Sequence, residues 1–265
     1  MVPVNYLMKD DEIASIYEDS GAEVVISVKD FLPKIKAGQV RVPEVKTVVL
    51  VNDDVPDGMY SFHALVDMAP ETKEIVETDD DDVAALIYTA GTTGKSKGVM
   101  LTHGSLYINS KMSYESTRMP HGMTNITVLP LCHAYGIAVA NSGLFYPRTK
   151  SVILGSFDME TVFASIDQYD ARLVALVPTM YVFMLMYPNP NRHDLSRVKY
   201  WMCGSAPLSQ ATWNSFYERF GGKIIEGWGL SESGASVSGN PCDGRPIKVD
   251  RERHPVPRAV HGDSL

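Results

Sequence analysis

Short apolar runs alternate with helical segments along most of the chain, and this alternation constrains the fold more than any other feature. In the first case, a helical pattern over residues 11–20 is stopped by Gly21 and followed by the β-branched run 23–27. The order recurs, with strands predicted at 46–51, 83–88, 126–129, 151–154, 173–177, 200–203 and 223–226, and helices at 158–169 and 210–220. Repeated strand–helix–strand units predict an α/β fold with layered, mainly parallel sheets and helices on both faces.

The amino-acid composition excludes several classes of function for this chain. The 265 residues are 45% hydrophobic and 21% charged, which predicts a globular protein, expected as one large layered unit. Because 32 acidic residues outnumber 24 basic ones, no general nucleic-acid surface is expected. Three widely spaced cysteines without a CxxC pair indicate neither a disulfide framework nor a zinc site. With no apolar run that spans a bilayer and no signal peptide at the start, we expect a cytoplasmic protein.

The acidic run at residues 79–82 invites comparison with a cation site. Four successive carboxylates without interleaved ligands more often form a solvated turn, so we favour the turn.

The strand predicted at 83–88 runs into a glycine-rich segment, TAGTTGKSKG, at residues 89–98. Three glycines allow backbone amides to approach phosphate oxygens, four hydroxyls donate hydrogen bonds, and two lysines add charge-assisted contacts. A P-loop requires a glycine at position 89, where this chain has Thr89, so that motif does not match. The remaining alternative is a surface turn, but the density of hydroxyls and lysines favours phosphate binding.

Four further segments carry polar or aromatic residues suited to a site: PLCHAYG at 130–136, VPTMY at 177–181, CGSAPLS at 203–209 and EGWGLSES at 226–233. Together with IYTAGTTGKSKGVMLTH at 87–103 they resemble, in order, the motifs of the adenylate-forming (AMP-binding) superfamily. The resemblance covers residues 2 to about 241 and is strongest to acyl-CoA synthetases, in particular long-chain fatty acid–CoA ligases. It implies an incomplete large N-terminal domain of the adenylate-forming fold over 1–241, whereas 242–265 is atypical and reads as loop or disordered tail.

The resemblance also implies roles for individual residues. ATP or AMP would contact the glycine-rich loop and the later motifs, through Thr89, Gly91, Thr92, Thr93, Gly94, Lys97, Gly204, Ser205, Ala206, Glu226, Gly227, Trp228, Gly229 and Ser231. Trp228 would stack beside adenine, Ser231 would contact the α-phosphate, and Glu232 would bind Mg²⁺. The catalytic set would be Thr92, Lys97, His133 and Glu232, with His133 orienting a carboxylate rather than acting as a general base. On residue type alone each has a structural alternative: His133 as a satisfied structural residue, 204–207 as a turn, Trp228 as core and Glu232 as a solvated carboxylate.

The reaction that the resemblance implies has two steps. A carboxylate attacks the α-phosphate of ATP to give acyl-AMP and pyrophosphate, and CoA then displaces AMP to give a thioester. The substrate is expected to be a fatty acid, and contact with a membrane through a lipid substrate stays open. Met180, Tyr181, Phe183, Met184 and Met186 either line an acyl tunnel or belong to the core, and core is the commoner role for such residues.

The chain also departs from the family pattern. Family enzymes are roughly twice as long, and no residue here can be assigned to the ribose-binding Asp, the hinge or the C-terminal Lys used in adenylation. The expectation is therefore a partial chain with impaired ligase activity, completed by a separate C-terminal domain or by self-association. Two other functions stay open: a non-catalytic nucleotide-binding remnant, and an aryl-acid–CoA ligase or luciferase-like adenylating enzyme.

Overall fold

The computed structural model describes residues 1–52, 54–71, 75–89, 96–145, 149–188 and 192–244. The chain divides into two compact units, Met1–Thr102 and His103–Leu265. The sequence did not indicate this division, and the assignment of 1–241 to one incomplete domain stays a prediction. Most of the predicted tail, from 245 onward, lies outside the described residues. No helix in the described ranges is long and apolar enough to cross a bilayer.

The first unit combines a parallel sheet with a hairpin. Its elements are α1 (Asp10–Ser20), β1 (Val24–Ser27), α2 (Leu32–Arg41), β2 (Thr47–Leu50), β3 (Tyr60–Ser61), α3 (Phe62–Met68), β4 (Val83–Thr89) and β5 (Lys97–Thr102). Strands β1, β2 and β3 form a parallel sheet in that order, and β4 pairs with β5 in antiparallel fashion. Gly21 ends α1 in the left-handed conformation, at a φ of 62°, as the sequence predicted. The acidic run 79–82 forms a turn, in which the Asp79 backbone N–H donates to the Asp82 carboxylate.

The second unit is built on a six-stranded sheet with the order β11-β10-β9-β8-β6-β7. Its elements are α4 (His103–Thr117), β6 (Thr124–Thr127), α5 (Ala134–Phe145), β7 (Lys150–Ile153), α6 (Met159–Tyr169), β8 (Leu173–Leu176), α7 (Pro178–Met186), β9 (Tyr200–Cys203), α8 (Gln210–Phe220), β10 (Ile224–Trp228) and β11 (Ser238–Gly239). Strands β6 to β10 pair in parallel, and only β11 runs antiparallel to its neighbour. The predicted α/β class is confirmed in this unit.

Helices cover both faces of this sheet. On one face, residues such as Ile126, Val174 and Trp201 form an apolar cluster with side chains from α6, α7 and α8. On the other face, Leu173 and Ala175 belong to a second cluster with Tyr114 of α4 and Val139 of α5. The side chains of a strand alternate between faces, so β6 sends Ile126 to the first cluster and its neighbours Asn125 and Thr127 to the second face.

The strand order reverses direction between β6 and β8. From β6 the chain moves outward to β7, then crosses back over β6 to β8 and continues to β9 and β10. Right-handed crossovers in opposite directions place their helices on opposite faces, which explains why α5 lies on one face and α6 to α8 on the other. Ligands of open α/β sheets bind outside the carboxyl ends of the strands at such a reversal.

Candidate functional site

A cavity of about 360 Å³ lies in the second unit at this reversal of strand order. Its walls come from α4, α5, the strands β6, β8, β9 and β10, and the segments that follow β9 and β10. The sequence-predicted residues that line it are His133, Gly204, Ser205, Gly227, Trp228, Gly229, Ser231 and Glu232. Residues from three motifs, up to 99 positions apart in the chain from 133 to 232, therefore share one concave surface.

Two predicted residues of the later motifs do not line the cavity. Ala206 is absent from its walls, and Glu226 is buried with 8% of its surface exposed. The Glu226 carboxylate accepts a hydrogen bond from the Leu208 backbone N–H at 3.3 Å. Glu226 thus ties the segment after β9 to strand β10, and its predicted contact with the nucleotide stays a prediction.

The segment after β10 carries Ser231 and Glu232 and is fastened to helix α4 by Asn109. The Asn109 Nδ2 donates to the backbone carbonyls of Ser233 and Ser236, both at 2.7 Å, and its Oδ1 accepts from the Ser236 N–H at 3.4 Å. A further bond of 3.0 Å joins the hydroxyls of Ser113 and Ser236. Asn109 and Ser113 lie one turn apart on α4, so a single helix face sets the path of this segment.

Glycine is required at position 229 because the backbone of the same segment passes very close to it at Ala235. A Cβ at Gly229 would come within 1.2 Å of the Ala235 carbonyl oxygen, a distance that no side chain can tolerate. A Cβ at Gly227, two residues earlier, would come no nearer than 3.5 Å to any other residue outside its neighbours. The two glycines of this motif therefore differ. Gly229 is needed for the segment to fold back on itself, whereas position 227 has room for a side chain.

His133 and Tyr135 form the part of the cavity wall at the start of α5. The Tyr135 backbone N–H donates to Nδ1 of His133 at 3.3 Å, so the neutral imidazole carries its proton on Nε2 and can donate from that atom. This tautomer suits the predicted contact with a carboxylate. The ring of Tyr135 lies 3.2 Å from where a Cβ of Gly204 would be, which explains the glycine there. The buried Tyr135 hydroxyl has no partner within the described structure, and burial raises its pKa.

Ser205 adopts a backbone conformation that favours glycine. Its φ is 68°, in the left-handed region, at the position where the motif commonly has a second glycine. The segment after β9 therefore keeps the backbone path of that motif even though the residue has a side chain.

The glycine-rich loop belongs to the first unit. Thr89 and Lys97 form the last residue pair of the β4–β5 hairpin, so the two ends of the loop are held opposite each other. The Tyr88 hydroxyl, one residue before, donates to Asp19 at 2.6 Å, and burial followed by this bond raises the pKa of Tyr88. The other predicted residues of the loop, Gly91, Thr92, Thr93 and Gly94, lie outside the described residues.

The proposed acyl-tunnel residues do not line the cavity. Tyr181 and Met184 are fully buried in the apolar cluster beneath α6 to α8, whereas Phe183 and Met186 are more than half exposed. Met180 is partly buried against both apolar clusters. Core packing, the commoner role, therefore describes the buried members of this group.

Glu232 is the residue predicted to bind Mg²⁺. It is exposed at the cavity wall, and no group of three or more potential ligands occurs elsewhere in the described ranges. Mg²⁺ in nucleotide sites takes one or two carboxylates and completes its shell with phosphate oxygens and water. A single accessible carboxylate is therefore compatible with an ion that arrives with the nucleotide.

Many residues of the cavity wall were not predicted from the sequence, among them the polar residues Asn109, Ser113 and Asn125. Asn109 and Ser113 lie on α4, a helix that was not predicted, and their spacing of four was the available signal. Asn125 lies in β6, where polar residues alternate with Ile126 and Val128. A polar residue inside a buried strand is unusual and could have been noted.

Residues 1–261 match the family model of the AMP-binding enzymes. The chain belongs to the AMP-binding enzyme family. It is 32% identical over 237 residues to peroxisomal OPC-8:0-CoA ligase 1 of Arabidopsis thaliana, covering 86% of this chain and 43% of the relative. It is 30% identical over 226 residues to a long-chain-fatty-acid–CoA ligase of Bacillus subtilis (strain 168), covering 82% and 39%.

Among solved structures, ATP-bound MatB from Rhodopseudomonas palustris matches with a TM-score of 0.78 and 27% identity, over 93% of this chain and 47% of that one. Members of the family thus bind ATP. The predicted relationship to acyl-CoA ligases and the predicted α/β fold of the N-terminal domain of adenylate-forming enzymes are both confirmed. The chain spans less than half the length of these relatives.

Proposed function

We propose that this chain binds ATP and a carboxylic acid and forms the acyl-adenylate of an acid–CoA ligase. One observation carries the proposal: two motifs that resemble the family's nucleotide-binding segments and the His133 motif, which resembles its acid-binding segment, line one cavity at the carboxyl ends of parallel strands. The ligase names of the relatives support the second step, transfer of the acyl group to CoA.

The proposed reaction has two steps, and each forms one bond and breaks another. A carboxylate oxygen attacks the α-phosphorus of ATP, the bond to the bridging oxygen of pyrophosphate breaks, and acyl-AMP forms. The CoA thiolate then attacks the acyl carbon, and AMP leaves with the electrons of the broken C–O bond. Because negative charge gathers on the phosphates, catalysis depends mainly on charge neutralisation and alignment.

The residues of the cavity have distinct proposed parts in this reaction. Trp228, whose indole is 40% exposed, offers a face for adenine, and Ser231 offers a hydroxyl to the α-phosphate. Nε2 of His133 donates to the carboxylate of the acid. Mg²⁺, held by Glu232 and the phosphates, would neutralise phosphate charge. Thr89, Thr92, Thr93 and Lys97 of the glycine-rich loop are proposed to bind the pyrophosphate moiety.

Calorimetry with ATP tests the nucleotide part of the proposal. Wild type should bind ATP more tightly with Mg²⁺ than with a chelator, and Glu232→Gln should lose roughly tenfold in the Mg²⁺-dependent affinity, since one charge-assisted contact is lost. Glu218→Gln, an exposed carboxylate on α8 outside the cavity, is the matched control and should bind as wild type. Equal ATP affinity for all three proteins in Mg²⁺ would exclude Glu232 as the metal ligand.

Binding of a non-hydrolysable acyl-sulfamoyl adenosine tests the whole site, with Thr92→Ala as the loop variant. Saturable binding that both Thr92→Ala and Glu232→Gln weaken supports the proposal. Binding without any acid-dependent exchange of pyrophosphate into ATP would instead identify a nucleotide-binding protein without adenylating activity. A folded chain that binds neither ligand would overturn the proposed function.

A further inference from the structure

Two consecutive residues of the segment after β10 have a positive φ. Gly234 has a φ of 75°, which glycine adopts at little cost, but the next residue, Ala235, has a φ of 101°. Elsewhere in the described ranges, the non-glycine residues with positive φ are Arg118, Asp170 and Ser205, and their values of 48° to 68° lie close to the left-handed well. Ala235 lies outside that well, so its backbone is strained, and such a conformation persists only where neighbouring contacts hold it.

The strained residue closes a turn that carries two of the proposed ligand residues. The Ala235 N–H donates to the Leu230 carbonyl at 3.0 Å. The Ala235 carbonyl oxygen lies 1.2 Å from the position that a Cβ of Gly229 would take, so the two ends of the turn are in close contact. Ser231 and Glu232 lie between these ends and line the cavity. The backbone at Ala235 therefore decides where both of these side chains are placed.

One side chain of helix α4 holds the strained pair from both sides. The Asn109 Nδ2 donates to the carbonyl of Ser233, immediately before the pair, and to the carbonyl of Ser236, immediately after it. Both bonds are 2.7 Å long, and the Asn109 Oδ1 also accepts from the Ser236 N–H at 3.4 Å. The peptide groups on either side of Gly234 and Ala235 are thus fixed by a residue of another element, which is the kind of restraint that a strained backbone requires.

We propose that Asn109 is a positioning residue of the ATP site: it holds the strained turn and thereby keeps Ser231 and Glu232 where they meet the α-phosphate and its Mg²⁺. This inference rests on the proposed function and adds to it a residue that acts through the turn. Without the three hydrogen bonds, Ala235 relaxes toward an ordinary φ, and the two ligand residues move with it.

The size of the effect follows from the population of the binding-competent turn. A site that is competent only about a tenth of the time binds its ligand about tenfold more weakly. One neutral hydrogen bond typically changes an equilibrium by about fivefold, and Asn109 makes three bonds to the turn. Asn109→Leu, which keeps the size of the side chain, should therefore weaken the binding of ATP in Mg²⁺ by about tenfold or more in calorimetry.

Rescue by glycine distinguishes positioning from a general loss of structure. Glycine adopts a φ of 101° without a Cβ, so Ala235→Gly removes the strain that Asn109 opposes. The double variant Asn109→Leu with Ala235→Gly should return to within about threefold of the wild-type ATP affinity, and Ala235→Gly alone should stay in the same range. If Asn109 served stability alone, the glycine would add flexibility and the double variant would bind no better than Asn109→Leu.

Two controls separate relief of strain from other effects. Ala235→Ser keeps the Cβ and hence the strain, so combined with Asn109→Leu it should not restore ATP binding. Asn214→Leu changes an exposed asparagine of α8 outside the cavity and should bind ATP as wild type does. Equal rescue by serine and glycine would show that strain at Ala235 is not what Asn109 opposes, and the proposal would be wrong.

The remaining outcomes separate this inference from the proposed function. Equal ATP affinity of wild type and Asn109→Leu overturns the positioning role and leaves the proposed nucleotide site intact, and so does a double variant that glycine fails to rescue. Absence of ATP binding by the folded wild-type chain overturns the proposed function and this inference with it. Thermal unfolding checks that each variant is folded. If Asn109→Leu does not fold, Asn109→Ala replaces it, with the same loss and the same rescue expected.

Discussion

On one face of the six-stranded sheet Ile126, Val174 and Trp201 pack side by side against α6 to α8, and each is at most 1% exposed. On the other face, the neighbouring residues Asn125 and Thr127 bury oxygens without partners beside a cavity. The same strands thus build a close-packed core on one side and an incompletely satisfied wall on the other. The first face is therefore close-packed throughout, whereas the second combines an apolar cluster with buried polar groups and a cavity.

The largest effect should follow a change on the packed face. Phe163→Ala removes a fully buried ring of α6 and should lower the free energy of unfolding by about 3–5 kcal/mol, measured by urea denaturation. Phe183→Ala, at a ring that is 55% exposed, should cost about 1 kcal/mol or less. Similar losses for the two variants would show that burial of Phe163 in the packed face adds little to stability.

Gly229→Ala, on the cavity side of the sheet, should have the second-largest effect on stability. The new methyl group would collide with the Ala235 carbonyl, so the segment must shift, at a cost of about 1–3 kcal/mol and with loss of acyl-adenylate analogue binding. Gly227→Ala has room for its methyl group and should stay within about 0.5 kcal/mol of wild type in unfolding. If Gly229→Ala matched Gly227→Ala in both assays, the path of the segment after β10 would be refuted.

Asn109→Leu should loosen the cavity wall with a smaller effect on the whole unit. It removes three hydrogen bonds to Ser233 and Ser236, and we expect a loss of roughly 1–2 kcal/mol. Hydrogen exchange of the amides at 231–236 should accelerate, because the segment opens locally. Asn214→Leu removes an exposed bond on α8 and should leave those amides unchanged. Unchanged exchange in Asn109→Leu would mean that other contacts hold the segment.

Ser205→Gly should change the free energy of unfolding least, and it should raise it, unlike the other variants. It relieves a left-handed backbone at a φ of 68°, against the greater entropy of glycine in the unfolded chain, for a net gain of about 0.5 kcal/mol. Ser209→Gly, at the N-cap of α8 with an extended backbone, should instead lose a few tenths. Thermal unfolding of both variants checks the signs, and a loss in Ser205→Gly would argue against strain at this position.

The sequence predicted the sheet well because buried parallel strands are short apolar runs. Strand β9 has the predicted bounds Tyr200–Cys203, and α8 has the predicted bounds Gln210–Phe220 because Ser209 caps it and Gly221 ends it. Helices α4 and α5 were missed since their buried sides combine glycine, serine and apolar residues without a clear period.

For the site, the family resemblance identified the motifs but not the contacts that hold them in place. Trp228 and Glu232 could be predicted because their motif is contiguous in sequence. The hydrogen bonds from Asn109 to Ser233 and Ser236 span more than 120 residues, and no local pattern contains them. The unpaired oxygen of Asn125 depends on which neighbours fail to reach it, and this emerges only after β6, β7 and α5 have packed. Long-range polar pairing is therefore the part that sequence reasoning could not supply.

The three tryptophans differ in their exposure, and this gives the protein an optical reporter of its own. Trp201 is 1% exposed in the packed core and Trp213 is held by a 2.9 Å bond to the Ile224 carbonyl, but Trp228 is 40% exposed at the cavity. Its emission should lie to the red of the other two and be the most readily quenched by acrylamide. A ligand seated against the indole would shield it, so occupancy could be followed in unlabelled protein as lost quenching.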